Sequence, residues 1–148
     1  MRISLVVLDD TREALNAMRF AAMRATKTGG GVQVLSVVPT PEFGAFGVAD
    51  IMREEERERI AVHFEVFAKW MRDRQGVDPE LVIREGEPVG EIMAQLKEDP
   101  RIGVLVLGAG SEGAGPVLSA VLRAAGTLPV ALTVVPGDLS KERLEAIT

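Results

Sequence analysis

The chain has 148 residues, 47% hydrophobic and 26% charged, a balance that sets it with ordinary globular domains rather than with disordered or membrane-spanning chains. Its formal net charge of -5 argues against a nucleic-acid groove, which needs clustered Lys and Arg. With no cysteine, disulfide scaffolds, thiol nucleophiles and Cys-ligated metals are excluded, and no apolar run approaches the roughly 20 residues of a membrane helix.

A chain of this length buries about two-thirds of its unfolded surface, and one domain is expected over residues 1–148, with a core at 3–135 and a tail at 137–148. Residues 3–8 are apolar and β-branched and predict a first strand buried on both faces. Asp9-Asp10-Thr11-Arg12-Glu13 then reads as a helix start, with Asp10 or Thr11 as amino-cap and Glu13 placed to reach back. Ala14, Leu15, Met18, Ala22 and Ala25 recur at helical spacing until the glycines at 29–31 end the helix. Residues 32–38 form the second predicted strand, stopped by Pro39-Thr40-Pro41. Residues 42–47 read as a loop whose Phe43 and Phe46 are exposed or covered by a partner.

Residues 49–74 predict one long helix in two parts. Its first half, Arg53-Glu54-Glu55-Glu56-Arg57-Glu58-Arg59, is uniformly charged and reads as a solvated face held by Glu–Arg pairs. Its second half carries the stripe Ile60, Phe64, Phe67 and Met71, with Trp70 beside it. His63, the one histidine, has no second ligand at metal spacing and reads as a partly exposed helix residue, so no metal site is expected. Gly76 breaks this helix, and a third strand at 81–83 leads to a helix opened by Pro88 with Val89, Ile92, Met93 and Leu96 on one side. A fourth strand at 103–107, a helix from about 117 to 125 capped by Gly126, a fifth strand at 130–135 and a polar turn or helix at 139–148 complete the chain. Five strands alternating with four helices predict an α/β three-layer sandwich, a parallel sheet with helices on both faces.

The fourth strand runs directly into Gly108-Ala109-Gly110-Ser111-Glu112-Gly113-Ala114-Gly115-Pro116. In a parallel sheet this junction lies at the carboxyl edge, where ligands bind, and Gly108, Gly110, Gly113 and Gly115 leave backbone N–H groups open to an anion. Ser111 and Ser119 add hydroxyl donors. Against this, Glu112 is acidic, no Lys or Arg stands between Arg101 and Arg123, and the Gly-Lys-Ser/Thr ending of a Walker loop is missing. Glycine-rich turns are often only turns. Asp9, where the first strand ends, can accept from a ribose hydroxyl or an adenine amino group but repels phosphate; Asp9 and Asp10 serve equally well as helix caps. No serine–histidine arrangement fits a nucleophile elbow, so no catalytic residue is assigned. A phosphorelay receiver would need an Asp after the third strand and a Lys after the fifth, where Arg84-Glu85 and Pro136-Gly137 stand.

In order along the chain, Leu5-Val6-Val7-Leu8-Asp9-Asp10-Thr11, Val34-Leu35-Ser36-Val37-Val38, Arg84-Glu85-Gly86-Glu87-Pro88 with Ile92, Val104-Leu105-Val106-Leu107-Gly108, and Leu128-Pro129-Val130 with Thr133-Val134-Val135 resemble the universal stress protein family, of the adenine-nucleotide α-hydrolase-like superfold. The resemblance covers residues 3–135 and implies strand order 3-2-1-4-5, homodimers through the last strand, and one of two branches, binding ATP or not. The candidate cofactor-binding set is Asp9, Val37, Gly108, Gly110, Ser111, Gly113, Gly115 and Ser119, with ATP or AMP as the candidate ligand. The ATP-binding members resemble one another in a loop of Gly, two residues, Gly, nine residues, then Gly-Ser or Gly-Thr. Counted from Gly108, the late pair falls on Val121-Leu122; from Gly110, on Arg123-Ala124; and counted back from Pro129, on Pro116-Val117. The hydroxyl that would hold terminal phosphates is missing, which points to the branch without ATP and to a non-catalytic regulatory role. An apolar last strand at 130–135 exposes ladder groups that a second copy, or the carboxyl-terminal segment, would cover. Acidic residues at 9 and 10 come too early for a signal peptide, so a cytoplasmic location is expected, with no membrane or nucleic-acid partner.

Overall fold

The computed structural model describes residues 1–40 and 47–148, so the loop assigned to Phe43 and Phe46 lies outside the described residues. Strands β1 (Ile3–Val7), β2 (Gly31–Val38), β3 (Glu80–Glu85), β4 (Ile102–Ala109) and β5 (Ala131–Pro136) form a sheet of order β3-β2-β1-β4-β5, every neighbouring pair parallel. Helices α1 (Glu13–Thr28), α2 (Val48–Trp70), α3 (Pro88–Glu98) and α4 (Pro116–Arg123) link them in turn, and α5 (Lys141–Ile147) follows β5. This is the α/β sandwich that the alternation of elements predicts, in the strand order that the family resemblance implies. Among the described residues no helix is long and apolar enough to cross a membrane.

Side chains alternate across a strand, and residue parity here decides the layer. Val6, Val34 and Val106 are register partners and face α1, the second half of α2, and α5, where Met18, Ala22, Phe64, Ala68, Met71 and Leu144 are buried. Leu5, Leu35 and Leu105 point the other way, onto Ile92 and Leu96 of α3 and Leu118 and Val121 of α4.

Several local expectations are corrected. The cap of α1 is Arg12 and makes no side-chain bond, because Asp9 Oδ1 instead takes the Thr11 N–H at 2.9 Å and the Thr11 hydroxyl. The turn before the helix thus consumes the groups that would have capped it. The long second helix ends in one π-helical turn, Met71–Gln75, before Gly76 closes it in the left-handed region. Gly126 is not a cap: Ala124 ends α4, and Gly126 sits in a short 3-10 turn, Ala125–Thr127. The terminal segment is helical but not merely polar, since Leu144 is fully buried.

Two contacts fix α1 against the far side of the sheet. A Cβ on Gly108 would lie 2.4 Å from the Glu13 carbonyl oxygen, and one on Gly137 would lie 2.7 Å from Glu13 Cβ, so neither position tolerates a side chain. Asn16 of α1 is buried, and its amide donates to the carbonyls of Pro136 at 3.0 Å, Gly137 at 3.1 Å and Leu139 at 2.9 Å.

On the opposite face, Gln33 occupies an inward position of β2 and needs partners for a polar head that is 2% exposed. It donates to Glu80 at 3.0 Å and Asp99 at 3.1 Å and accepts from Gln95 at 2.9 Å. Arg101 donates to both acids, and its hydrogen bonds, followed by that from Gln33, hold Asp99 down at about 2 and place Glu80 below its ordinary value.

Gly108→Ala forces two backbones apart and should destabilise the protein by about 3 kcal/mol, at the upper end of overpacking costs. Gly126→Ala, whose added Cβ meets nothing within 4 Å, should change stability by less than about 0.5 kcal/mol; urea midpoints compare the two. Because Asp99 titrates lower when folded, its contribution is complete above its ordinary value of 3.8 and is lost as pH falls through about 2. Arg101→Met should therefore lower stability at pH 7 and shrink the difference from wild type as denaturation is repeated toward pH 2.

Candidate functional site

Strands β2 and β3 lie on one side of β1, and β4 and β5 on the other; such a reversal opens a crevice at the carboxyl ends of the strands. Two cavities share this crevice. The larger, about 390 Å³, falls within the size range of small-molecule sites and is walled by Val7, Val37, Ile60, Ile92 and Val117, with Asp9, Asp10, Glu56, Arg59 and His63 supplying polarity. The smaller, about 50 Å³, extends past Asp9 toward the glycine loop and is lined by Thr11, Glu13, Gly108, Gly115 and Pro116. Val7, Asp9 and Val117 border both.

The sequence-derived residues divide accordingly. Asp9 borders both cavities, Val37 lines the larger, and Gly108 and Gly115 line the smaller. Gly110, Ser111, Gly113 and Ser119 line neither. An antiparallel bridge between Gly110 and Gly113 pinches the loop so that Ser111 and Glu112 project into solvent. Ser119 lies within α4, its N–H bonded to the Gly115 carbonyl at 3.0 Å. The missing side chain of Gly108 makes room for Glu13 of α1.

Helix α2 also borders the crevice. Glu54, Glu55, Arg57, Glu58 and Arg59 are exposed and His63 is partly exposed, as expected, and Glu56, Arg59 and His63 line the larger cavity. A signal was present: Glu56 and Arg53 stand four and seven residues before Ile60, on the face that continues through Phe64. Arg53 meets Glu85 of β3 at 3.0 Å. Arg59 donates to Glu56 at 3.0 Å and to Asp10 at 3.0 Å. The hydrogen bond from Arg59 holds the Glu56 carboxyl below its ordinary value, and the two acids raise the guanidinium further. The cation of the larger cavity is therefore engaged by the protein's own carboxylates.

Both hydroxyls of the crevice are likewise engaged. Ser36 Oγ, buried, donates to the Leu8 carbonyl at 2.7 Å, and the Thr11 hydroxyl donates to Asp9. His63 stacks obliquely on Phe67, with ring centroids 5.2 Å apart. The arrangement offers apolar walls, a carboxylate acceptor at Asp9 and a paired cation, which together suit a small, flat, hydrogen-bond-donating ligand.

No curated protein matches this chain, whereas many solved structures share its fold. Universal stress protein UspA from Lactobacillus plantarum superposes with a TM-score of 0.78 at 18% identity, covering 90% of this chain and 97% of that one. A universal stress protein solved in complex with cAMP gives a TM-score of 0.61 at 16% identity, covering 90% and 96%. An Arabidopsis thaliana universal stress protein family protein with AMP bound gives 0.61 at 17%, covering 92% of each chain. These likenesses describe the fold. Membership rests on the sequence itself: the family model described as universal stress protein family matches residues 1–140, and the chain belongs to that family.

Proposed function

We propose that this protein is a non-catalytic regulatory member of its family, acting as a homodimer whose state responds to an adenine nucleoside or nucleotide held in the larger cavity. The observation that carries this reading is the cavity of about 390 Å³ at the switch point, apolar on its walls and with Asp9 at its edge. A purine's faces suit Val37, Ile92 and Val117, and the Asp9 carboxylate suits a ribose hydroxyl or an exocyclic amine. Fold neighbours solved with cAMP and AMP support the ligand class. The engaged hydroxyls of Ser36 and Thr11 support a binding role over hydrolysis, and the engaged Arg59 removes the one lining cation that would steady a phosphoryl group. The cell compartment that fits this role is the cytoplasm.

The homodimer reading rests on β5, an edge strand on which Val134 is 40% exposed, with Leu122 of α4 exposed as well. The carboxyl-terminal helix packs against α1, which leaves a second copy as the better cover for this edge.

Calorimetric titration with adenosine and AMP tests the site. Val37→Trp, which fills the larger cavity, should weaken binding by at least tenfold, about 1.4 kcal/mol, while circular dichroism stays native; equal affinity in the two proteins would move the ligand elsewhere. Val134→Lys should convert the dimer to a monomer in light scattering without lowering the melting temperature of the monomer fold.

A further inference from the structure

Four glycines at the ends of β4 and β5 and in the loop between β4 and α4, Gly108, Gly110, Gly115 and Gly137, lie around one residue of α1. Added Cβ atoms at Gly108 and Gly137 would collide with the backbone and Cβ of Glu13, while one at Gly110 would lie 3.3 Å, and one at Gly115 3.9 Å, from Glu13 Oε1. The concavity that could receive an anion therefore holds a carboxylate supplied by α1. No hydrogen bond ties that side chain down among the described residues, and it borders the small cavity beside Asp9. Among the described residues no Lys or Arg lines this cavity. Pro116, at the first position of α4, has no N–H to offer an anion.

A ligand seated in the larger cavity that extends past Asp9 toward the glycine loop enters a space of about 50 Å³ bordered by two carboxylates, Asp9 and Glu13. Phosphates entering this space meet like charge on both sides, a cost that an uncharged nucleoside does not carry.

We infer that Glu13 is a specificity-determining residue: it occupies the glycine loop as a built-in anion, so the crevice selects adenine nucleosides over adenine polyphosphates, with the monophosphate between. The inference rests on the reading of the larger cavity as an adenine site and adds the charge class of ligand that site accepts. Repulsion between like charges near a protein surface falls as salt shortens the screening length from about 20 Å near 0.02 M to about 4 Å near 0.5 M, which supplies a second handle independent of mutation.

The test is calorimetry of adenosine, AMP and magnesium-free ATP with wild type and with Glu13→Gln, which keeps the side chain's size. Wild type should bind adenosine at least about tenfold more tightly than ATP at low salt, and Glu13→Gln should bring ATP up by about tenfold while leaving adenosine unchanged. Raising salt should narrow the wild-type gap, which decides the matter even if the variant folds poorly. ATP binding wild type as tightly as adenosine, or an ATP-to-adenosine ratio that neither the substitution nor salt moves, overturns the role of Glu13 and leaves the adenine site standing. Absence of binding by all three compounds overturns the adenine site and this inference together.

Discussion

The close seat of α1 on the carboxyl ends of β4 and β5 is the contact from which both the architecture and the crevice follow. Positions 108 and 137 lack side chains, so the backbone of Glu13 reaches van der Waals distance of two strands at once. That approach sets the angle at which the chain leaves β1. It thereby places Asp9 over the crevice and commits Thr11 to the turn before the helix. Glycine here serves helix–sheet packing, one of the roles it takes at such turns in α/β proteins. The same packing carries the Glu13 side chain into the loop, so one steric requirement governs shape and charge alike.

Much of the fold is legible in the sequence because a parallel sheet buries both faces of its strands and writes them as continuous apolar runs. Residues 3–8, 32–38 and 103–107 are found within a residue or two of β1, β2 and β4. Helix ends are less legible. Asp9, Asp10 and Thr11 have the chemistry of caps, but a local Asx turn competes for the same hydroxyl and carboxylate, and only the tertiary path decides between them. The charged run of α2 is legible in part: Arg59 is exposed and paired with Glu56 as a solvated face implies, whereas Glu56, four residues before the buried Ile60, also lies at the crevice. The glycine loop is ambiguous in principle, since a cradle for phosphate and a seat for a helix call for the same residues. At Gly108 the backbone of Glu13 is close enough that the helix seat alone calls for glycine, whereas Gly113 has no neighbour within 4 Å.

The protein also retains its cations. Arg59 is shared by Asp10 and Glu56, Arg84 by Glu91 and Glu98, and Arg101 by Glu80 and Asp99. Most of these partners are exposed, so each pair adds little stability. Their larger effect is on the field. With the crevice cation engaged, the carboxylates of Asp9 and Glu13 at the small cavity face no cation among the lining residues described.

Asn16 places a condition on the order in which the molecule assembles. Its amide is enclosed in the layer formed by α1, yet its nearest acceptor in sequence lies 120 residues onward. A nascent chain builds β1, α1 and their neighbours long before Pro136 leaves the ribosome, and closing that layer early would strand the amide at a cost of about 1–3 kcal/mol. Full satisfaction of α1 therefore waits on a segment more than a hundred residues downstream, so the helix and the β5–α5 turn close this layer together.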